Sequence, residues 1–197
     1  MDMKKGRPLG FDPDKILETA MNIFWEKGYD KTTLEDILDA TKISKSSFYN
    51  AYGNKFNIFE KSLDRFCDKQ ISLVEQGLQH FSNGREFIET LLRGLIQGVR
   101  LNEPHFGCFL MNTAHEFAGR DVYMSQKVSS STLRFNEVLQ KAIKNGQSAG
   151  VINREKKPDA LAFYIMTNIA GIRSMISAQV DPDQLDEIID VTLAALD

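Results

Sequence analysis

The chain has 197 residues, a net charge of −3, 42% hydrophobic residues and 26% charged residues. This composition is typical of a soluble globular protein with enough residues to bury a sizeable core. No apolar run approaches the roughly 20 residues that span a bilayer, and the basic start lacks the apolar segment of a signal peptide. We therefore expect no membrane partner. Because only two cysteines are present, Cys67 and Cys108, we also expect a cytoplasmic protein with reduced thiols.

The cations are unevenly distributed. Residues 40–59 contain Lys42, Lys45 and Lys55 and no carboxylate, and residues 4–7 add three more cations. For nucleic-acid binding the local distribution of charge matters more than the negative total. The charge pattern therefore permits DNA binding near the start of the chain.

Helix signals follow one another along the whole chain, and strand signals are nearly absent. Aspartate–proline pairs and capping-box patterns mark helix starts, and glycines mark helix ends. With apolar spacing, these signals predict an all-α fold of about nine helices: 13–27, a short helix that contains residues 34–38, 45–52, 55–81, 85–102, 108–117, 121–145, 158–178 and 182 onward. We expect residues 1–55 to form a compact head, linked through helix 55–81 to a helical body over residues 56–197.

The second and third predicted helices have the arrangement of a helix-turn-helix, whose recognition helix enters the major groove of DNA. Phe48 is expected to anchor residues 45–52 in the core, which leaves polar side chains outside. Hydroxyls and lysines suit phosphate oxygens, and Asn50 can pair with adenine. We also include Tyr52 among the expected DNA contacts. The open alternative is that Tyr49 and Tyr52 only pack against other residues of the protein. The outward candidates are Lys45, Ser46, Ser47, Tyr49 and Asn50.

A basic arm precedes the first helix. Arg7 within it is a candidate for the minor groove of A·T-rich DNA, where an arginine meets a narrow and negative channel. The alternative is a basic tail without a fixed role.

The segments 28–33 (GYDKTT) and 43–49 (ISKSSFY), followed by Lys55, resemble the TetR/AcrR family of bacterial transcriptional regulators. The resemblance implies a DNA-binding head that works as a homodimer and a C-terminal body that binds a small effector and dimerises. It further implies, residue by residue, that DNA is contacted by Thr33, Lys45, Ser47, Tyr49 and Lys55. Ser46, Asn50 and Ala51 depart from the family pattern, so the operator sequence of a relative is not expected to apply to this protein.

The last two predicted helices are amphipathic and could either complete the core of one protomer or pair with their copies in a four-helix bundle. We favour the second interpretation. The residues expected at the dimer interface are Ile165, Ile172, Ile176, Ile189 and Leu193.

The middle of the chain is rich in Phe, Met and Tyr, most of which are expected to be core. Asn112 and His115 interrupt this pattern on one helix face, as the polar groups of an apolar ligand site would, although His115 is about as compatible with an ordinary core histidine. A small and mainly apolar effector is therefore expected, and no cofactor or metal. The candidate effector-binding residues are Phe106, Cys108, Met111, Asn112, His115, Phe135, Tyr164 and Asn168.

The residues leave two other functions open and disfavour a third. Cys108 at a helix start is an alternative sensor of oxidants or electrophiles, and the same fold could serve an activator. An enzyme is disfavoured, because Cys108 and His115 lie seven residues apart, about 10 Å along a helix axis, which is too far for a nucleophile–base pair. The expected function is a repressor that binds a palindromic operator and is released by its effector.

Overall fold

The computed structural model describes residues 12–101 and 106–197. Across these two ranges the chain forms nine helices and no strand, which confirms the all-α prediction. The helices are α1 (Pro13–Lys27), α2 (Leu34–Thr41), α3 (Lys45–Tyr52), α4 (Lys55–Leu78), α5 (Gly84–Arg100), α6 (Phe109–Phe117), α7 (Val122–Ser148), α8 (Pro158–Ser177) and α9 (Pro182–Ala194).

Most helix starts are fixed by side-chain caps that the sequence signals predicted. Asp12 caps α1 and Asp181 caps α9, each followed by a proline at the first helical position. At α4, the Asn54 side chain accepts a hydrogen bond from the Asn57 N–H at 2.8 Å. Each such cap satisfies an amide that lacks a partner within its own helix.

The chain forms two compact units, the first ending at Phe66 and the second beginning at Cys67, within α4. The core of the first unit is aromatic and aliphatic, with Phe24 and Phe59 rings packed edge to face at 5.0 Å. An ion pair between Arg65 and Asp14, 2.6 Å apart, lies at the surface of this unit. The buried side chains include Ile16, Met21, Phe24, Ile37, Phe48, Ile58, Phe59 and Leu63.

The second unit has its main core between α5, α7, α8 and α9. Helices α5 and α7 approach closely at Gly84, where a Cβ atom would lie 1.7 Å from the backbone oxygen of Ala142. Only a glycine fits there without separating the two helices. The core side chains include Ile88, Leu92, Ile96, Leu139, Ile143, Leu161, Ile165, Ile172, Leu185 and Ile189.

A row of ion pairs fixes α9 against α5. Arg93 bonds Asp190 at 2.8 Å and Asp186 at 3.4 Å, and Arg100 bonds Asp186 at 2.6 Å and Asp183 at 2.9 Å. Because Asp186 is shared by the two arginines, it links both pairs. The side of α9 that faces the core carries Leu185, Ile189 and Leu193, and the exposed ion pairs supplement that packing.

Helix α8 is long and apolar. By length and composition alone, with a hydropathy of 1.2, it is the one helix within the described ranges that could cross a membrane. Only 28% of the apolar stretch of this helix is buried. Much of this apolar helix therefore stays accessible at the surface of one protomer.

Candidate functional site

Helices α2 and α3 form a helix-turn-helix whose two N-termini are capped by hydroxyls. Thr33 and Asp36 make a reciprocal capping box at α2, and Ser44 accepts a hydrogen bond from the Ser47 N–H at α3. The turn between the helices ends α2 at Lys42, which adopts a left-handed conformation with φ of 57°. Lys42 is exposed, and the sequence pattern did not select it as a site residue; only its charge marked it.

The recognition helix α3 has one buried and one exposed side. Phe48 is fully buried, as predicted, and its ring contacts those of Tyr49 and Tyr52 at 5.7 Å each. Tyr49 is 47% exposed. The exposed side chains of this helix are Lys45, Ser46, Tyr49 and Asn50.

The prediction for Tyr52 is wrong, because this residue belongs to the core. It is 6% exposed, and its hydroxyl donates a hydrogen bond of 3.5 Å to the Pro13 carbonyl. Burial, followed by the nearby charges of Asp14 and Asp12, raises the pKa of Tyr52 and keeps it neutral. Its alternative interpretation as a packing residue is the correct one.

Ser47 is half-buried, and its hydroxyl accepts a hydrogen bond from Ser44 at 2.9 Å. This bond still leaves the Ser47 proton available to a phosphate oxygen. Arg7, by contrast, lies outside the described residues.

The start of α2 is organised around one carboxylate. Asp36 accepts hydrogen bonds from the Thr33 N–H at 2.8 Å, the Thr33 hydroxyl at 2.9 Å and Lys27 Nζ at 2.8 Å. The bond from Lys27, and then those from Thr33, lower the pKa of Asp36 from 3.8 to about 2. The Thr33 side chain is therefore already engaged within the protein, while the first N–H groups of α2 point along the helix axis, as at any helix N-terminus.

Lys55 is similarly engaged. Its ammonium donates hydrogen bonds of 2.9 Å to the carbonyl oxygens of Tyr29 and Thr32 and lies 4.1 Å from the centroid of the Tyr29 ring. The family resemblance implied a DNA contact for Lys55, and the sequence gave no sign of these partners.

In the second unit, the five residues predicted at the dimer interface need correction. Ile165, Ile172, Ile176, Ile189 and Leu193 are between 0% and 7% exposed and form part of the core. They pack within one protomer, so little of their surface remains for a second copy.

Part of the exposed surface of the last two helices is nevertheless apolar. Met175 is 47% exposed and Val191 is 69% exposed, and a Cβ atom on Gly171 would meet nothing within 4 Å. On α8, the exposed residues Tyr164, Thr167, Gly171 and Met175 are three or four positions apart, so they share one side of that helix. We call this set the α8–α9 apolar face: Tyr164, Thr167, Gly171, Met175, Ile188 and Val191.

Two of the predicted effector-binding residues lie on the exposed side of α6. Asn112 and His115 are exposed, and the Asn112 amide donates a hydrogen bond of 2.7 Å to the Phe106 carbonyl. Asn112 thus fastens the segment that leads into α6. The prediction that both side chains interrupt a buried apolar surface is wrong, because the buried side of α6 consists of Phe109, Leu110, Thr113 and Phe117.

The other candidate effector-binding residues differ in their burial and in their hydrogen bonds. Asn168 accepts a hydrogen bond of 3.1 Å from the Thr192 hydroxyl of α9 and donates one of 2.9 Å to the Tyr164 carbonyl, so its amide is engaged within the α8–α9 pair. Tyr164 and Phe106 are exposed at the surface. Cys108, Met111 and Phe135 are half-buried.

Comparison with known proteins agrees with this geometry. The family model of bacterial regulatory proteins of the tetR family matches residues 16–61, and that of the tetracyclin repressor-like C-terminal domain matches residues 84–192. Over 193 residues the chain is 24% identical to YezE of Bacillus subtilis, an uncharacterised HTH-type transcriptional regulator, with 98% of this chain and 100% of that protein covered.

It is also 31% identical over 132 residues to IcaR of Staphylococcus aureus, the negative transcriptional regulator of the biofilm operon icaADBC, with 62% of this chain and 68% of IcaR covered. A solved structure of a cysteine mutant of the TetR family regulator CifR, complexed with 26bp operator DNA, matches 98% of this chain and 100% of that chain with a TM-score of 0.83 and 22% identity.

The fold and the exposed side of α3 define a helix-turn-helix protein that regulates transcription by binding DNA. The chain belongs to the TetR family of bacterial regulatory proteins, as the matched head and C-terminal domain show. Members of this family are DNA-binding proteins and not enzymes, so the expectation of a non-enzymatic function is confirmed.

Proposed function

We propose that the protein is a homodimeric repressor that binds a palindromic operator in the cytoplasm and is released by a small, mainly apolar effector. The observation that carries the DNA part is the exposed side of α3, where Lys45, Ser46, Tyr49 and Asn50 surround the buried Phe48 anchor. Residues 1–55 act as the DNA-binding head, and residues 56–197 bind the effector and dimerise. The resemblance to IcaR, a negative regulator, supports repression.

Within this proposal the exposed residues of α3 divide by chemistry. Lys45, Ser46, Ser47 and Tyr49 hold phosphates, which fixes the register of the helix on the duplex. Asn50 lies among them with an amide that matches the paired donor and acceptor of adenine. Asn50 therefore contributes sequence preference, and the others contribute affinity.

The first experiment selects duplexes from random-sequence DNA with the purified protein and measures binding by fluorescence anisotropy over a range of salt concentrations. Lys45→Met should reduce the slope of log affinity against log salt by about 0.9 for each phosphate that the variant no longer neutralises. The matched control is Lys144→Met, because Lys144 is an exposed lysine on α7. Absence of sequence-selective binding by the unaltered protein would refute the function.

A second selection uses Asn50→Ala. The proposal expects a changed base preference at one position in each half-site with a similar salt slope. A lower affinity with an unchanged preference would instead assign Asn50 to positioning.

The dimer part is supported by the α8–α9 apolar face. In an isologous interface each residue of this face is buried twice, once in each protomer. The resulting two-fold pair places two heads on one operator, which suits a palindrome. The interface therefore consists of the exposed neighbours of the buried isoleucines and not of the isoleucines themselves.

For the effector, the half-buried candidates are Cys108, Met111 and Phe135. Their apolar and polarisable side chains suit a mainly apolar ligand. Addition of such a ligand should raise the melting temperature and release the selected duplex. If the ligand still releases the duplex from a variant with all three side chains changed to alanine, the effector site lies elsewhere.

A second candidate function is thiol sensing by Cys108. This residue begins α6 as its N-cap without a side-chain cap hydrogen bond, and it is partly exposed. Its exposure gives an oxidant or electrophile access to the sulfur. Cys108→Ser should then abolish oxidant-induced release from DNA, whereas unchanged release would exclude the thiol.

A further inference from the structure

The turn between α2 and α3 contains a residue in an unusual backbone conformation. Lys42 ends α2 with φ of 57° and ψ of 20°, in the left-handed region, and its N–H donates a hydrogen bond to the Leu38 carbonyl at 2.8 Å. Helices commonly end in this way, but usually with a glycine, because a Cβ atom in this conformation crowds the following carbonyl oxygen. In the described ranges, Gln179 is the only other non-glycine residue with a positive φ.

The conformation of Lys42 destabilises the fold. A non-glycine residue in the left-handed region lowers the folding equilibrium constant by roughly tenfold. The turn needs this conformation, because α3 begins only three residues later, at Lys45, and the chain must change direction within a short segment. A glycine at position 42 would relieve the strain, although the larger entropy of an unfolded glycine offsets part of the gain. The fold alone therefore gives no reason for a lysine here.

The dipole of α2 does not explain the lysine either. A cation near the C-terminus of a helix is favoured by the last carbonyl groups. A lysine at position 40 would give this interaction within the last turn of α2 and without strain, and the exposed Ala40 occupies that position. What position 42 adds is its place in the turn, beyond the end of α2 and before the start of α3.

The Lys42 ammonium is available to a partner outside the protein. The residue is exposed, and no group in residues 12–101 and 106–197 forms a hydrogen bond or an ion pair with its ammonium. Asp39, three positions earlier on α2, is the nearest acid in the sequence and does not bond it. Lys55 differs, because two backbone carbonyls already accept hydrogen bonds from its ammonium.

Lys42 also lies close to the recognition helix. Three residues of extended chain span at most about 11 Å, so the Cα atoms of Lys42 and Lys45 are no farther apart than that. Between them lies Ser44, whose side chain caps α3. Residues 40–59 contain no carboxylate, so no acid separates the cation of the turn from that of α3 along the chain. The two ammonium groups can therefore reach neighbouring phosphates of one DNA strand.

We propose that Lys42 is an additional DNA contact, which binds a backbone phosphate beside the one held by Lys45, and that its strained conformation is what places the ammonium there. This inference rests on the proposed docking of α2 and α3 on DNA. Because a phosphate contact positions a helix without reading bases, Lys42 raises the affinity for every sequence, and Asn50 keeps the sequence preference. Fold stability and DNA affinity therefore favour different residues at position 42.

The test uses the purified full chain and a duplex that the unaltered protein selects from random-sequence DNA. Lys42→Gly removes both the strain and the charge, and Lys42→Gln removes the charge alone. In urea unfolding, Lys42→Gly should raise the folding equilibrium constant by about three- to tenfold, and Lys42→Gln should leave it nearly unchanged. In fluorescence anisotropy both variants should bind more weakly, and the slope of log affinity against log salt should fall by about 0.9 for each protomer on the operator.

Three further variants separate strain from charge. Gln179→Gly removes the same kind of strain in the second unit, because Gln179 is exposed and has φ of 61°; it should stabilise the protein and leave the salt slope unchanged. Lys144→Gln removes an exposed charge from α7 and should change neither stability nor slope. Lys42→Arg keeps the charge and should keep the slope of the unaltered protein.

Methylphosphonate scanning of the duplex distinguishes a phosphate contact from a general electrostatic attraction. Neutralising one phosphate at a time gives each position a penalty in affinity. Lys42→Gln should abolish the penalty at one position in each half-site, next to the position whose penalty Lys45→Gln abolishes. An even reduction at all positions, an unchanged salt slope, or a Lys42→Gly variant that binds as tightly as the unaltered protein would overturn the inference. Failure of the unaltered protein to select any duplex would refute the proposed function instead.

Discussion

Val191→Asp tests the α8–α9 apolar face most directly. Val191 is 69% exposed in one protomer, so a second copy would bury most of its surface. Full burial of a valine contributes about 1.5–3 kcal/mol, which gives roughly 1–2 kcal/mol for this fraction and twice that for the two copies. An unpaired carboxylate in the interface adds a desolvation cost of several kcal/mol.

The sum of at least about 4 kcal/mol predicts a dimer dissociation constant raised by roughly a thousandfold. Sedimentation velocity over the micromolar range should show the unaltered protein as a dimer and Val191→Asp as a monomer. Circular dichroism should remain unchanged, because an exposed side chain contributes little to the core. The matched control is Val122→Asp, since Val122 is 75% exposed on α7 and lies outside this face.

Two results would refute the reasoning. A Val191→Asp protein that sediments as the same dimer would place the interface elsewhere, and equal dissociation by Val122→Asp would reduce the effect to added charge. Ile189 provides a contrast, because it is fully buried in the protomer. Ile189→Ala should cost about 2–5 kcal/mol of protomer stability, measured by urea unfolding, through a cavity that forms with or without a partner.

Two further predictions concern stability. Gly84→Ala should destabilise the protein by about 1–3 kcal/mol, because the new Cβ would lie 1.7 Å from the Ala142 oxygen. Gly94→Ala should stabilise it by about 1 kcal/mol, because a Cβ there meets nothing within 4 Å. Equal midpoints of urea unfolding for the two variants would contradict the packing argument. The pKa of Asp36 is lowered from 3.8 to about 2, so its ionised form stabilises the fold above pH 3.8 and this contribution is lost as the pH falls toward 2. Asp36→Asn should therefore flatten the acid side of the stability profile measured by urea unfolding, and an unchanged profile would show that the bond from Lys27 contributes nothing.

Helix starts were predictable from sequence because caps are local. The caps at Asp12, Ser44 and Asp181 depend on residues within three positions of each other, and all three occur in the structure. At α2 the sequence allows a capping box of Thr32 with Glu35 or of Thr33 with Asp36, and the structure has the second. Phe48 was also predictable, since it is the apolar residue of a short polar helix. The family motif occupies the same segment, which is why the class of protein emerged from the sequence alone.

The orientation of α8 was not predictable from its apolar pattern. Apolar residues lie on both its buried and its exposed sides, so hydrophobicity does not say which side faces the protomer core. The largest aliphatic residues, including Ile165 and Ile172, pack inside, and the exposed side carries Thr167, Gly171 and Met175. Packing against α5 and α7 decides between the two sides, and that packing is not encoded in α8 itself.

Lys55 illustrates a second limit of sequence reasoning. A lysine near a recognition helix suggests a DNA contact by its charge, but its partners lie 23 and 26 residues earlier in the chain. Only the fold brings the Tyr29 and Thr32 carbonyls to the ammonium. Tyr52 was misplaced for a related reason, because its burial depends on packing outside its own helix.

The row of ion pairs between α5 and α9 has a kinetic consequence. Arg93 and Arg100 bring two positive charges, while Glu89, Asp183, Asp186 and Asp190 bring four negative ones. The surplus of negative charge repels the phosphates of an approaching duplex, whereas α3, whose exposed side carries Lys45 and no acidic residue, attracts them. Such a contrast biases diffusional encounters toward one unit and raises the share of collisions that lead to binding. The same acidic residues that hold α9 in place therefore also discourage unproductive contacts with DNA.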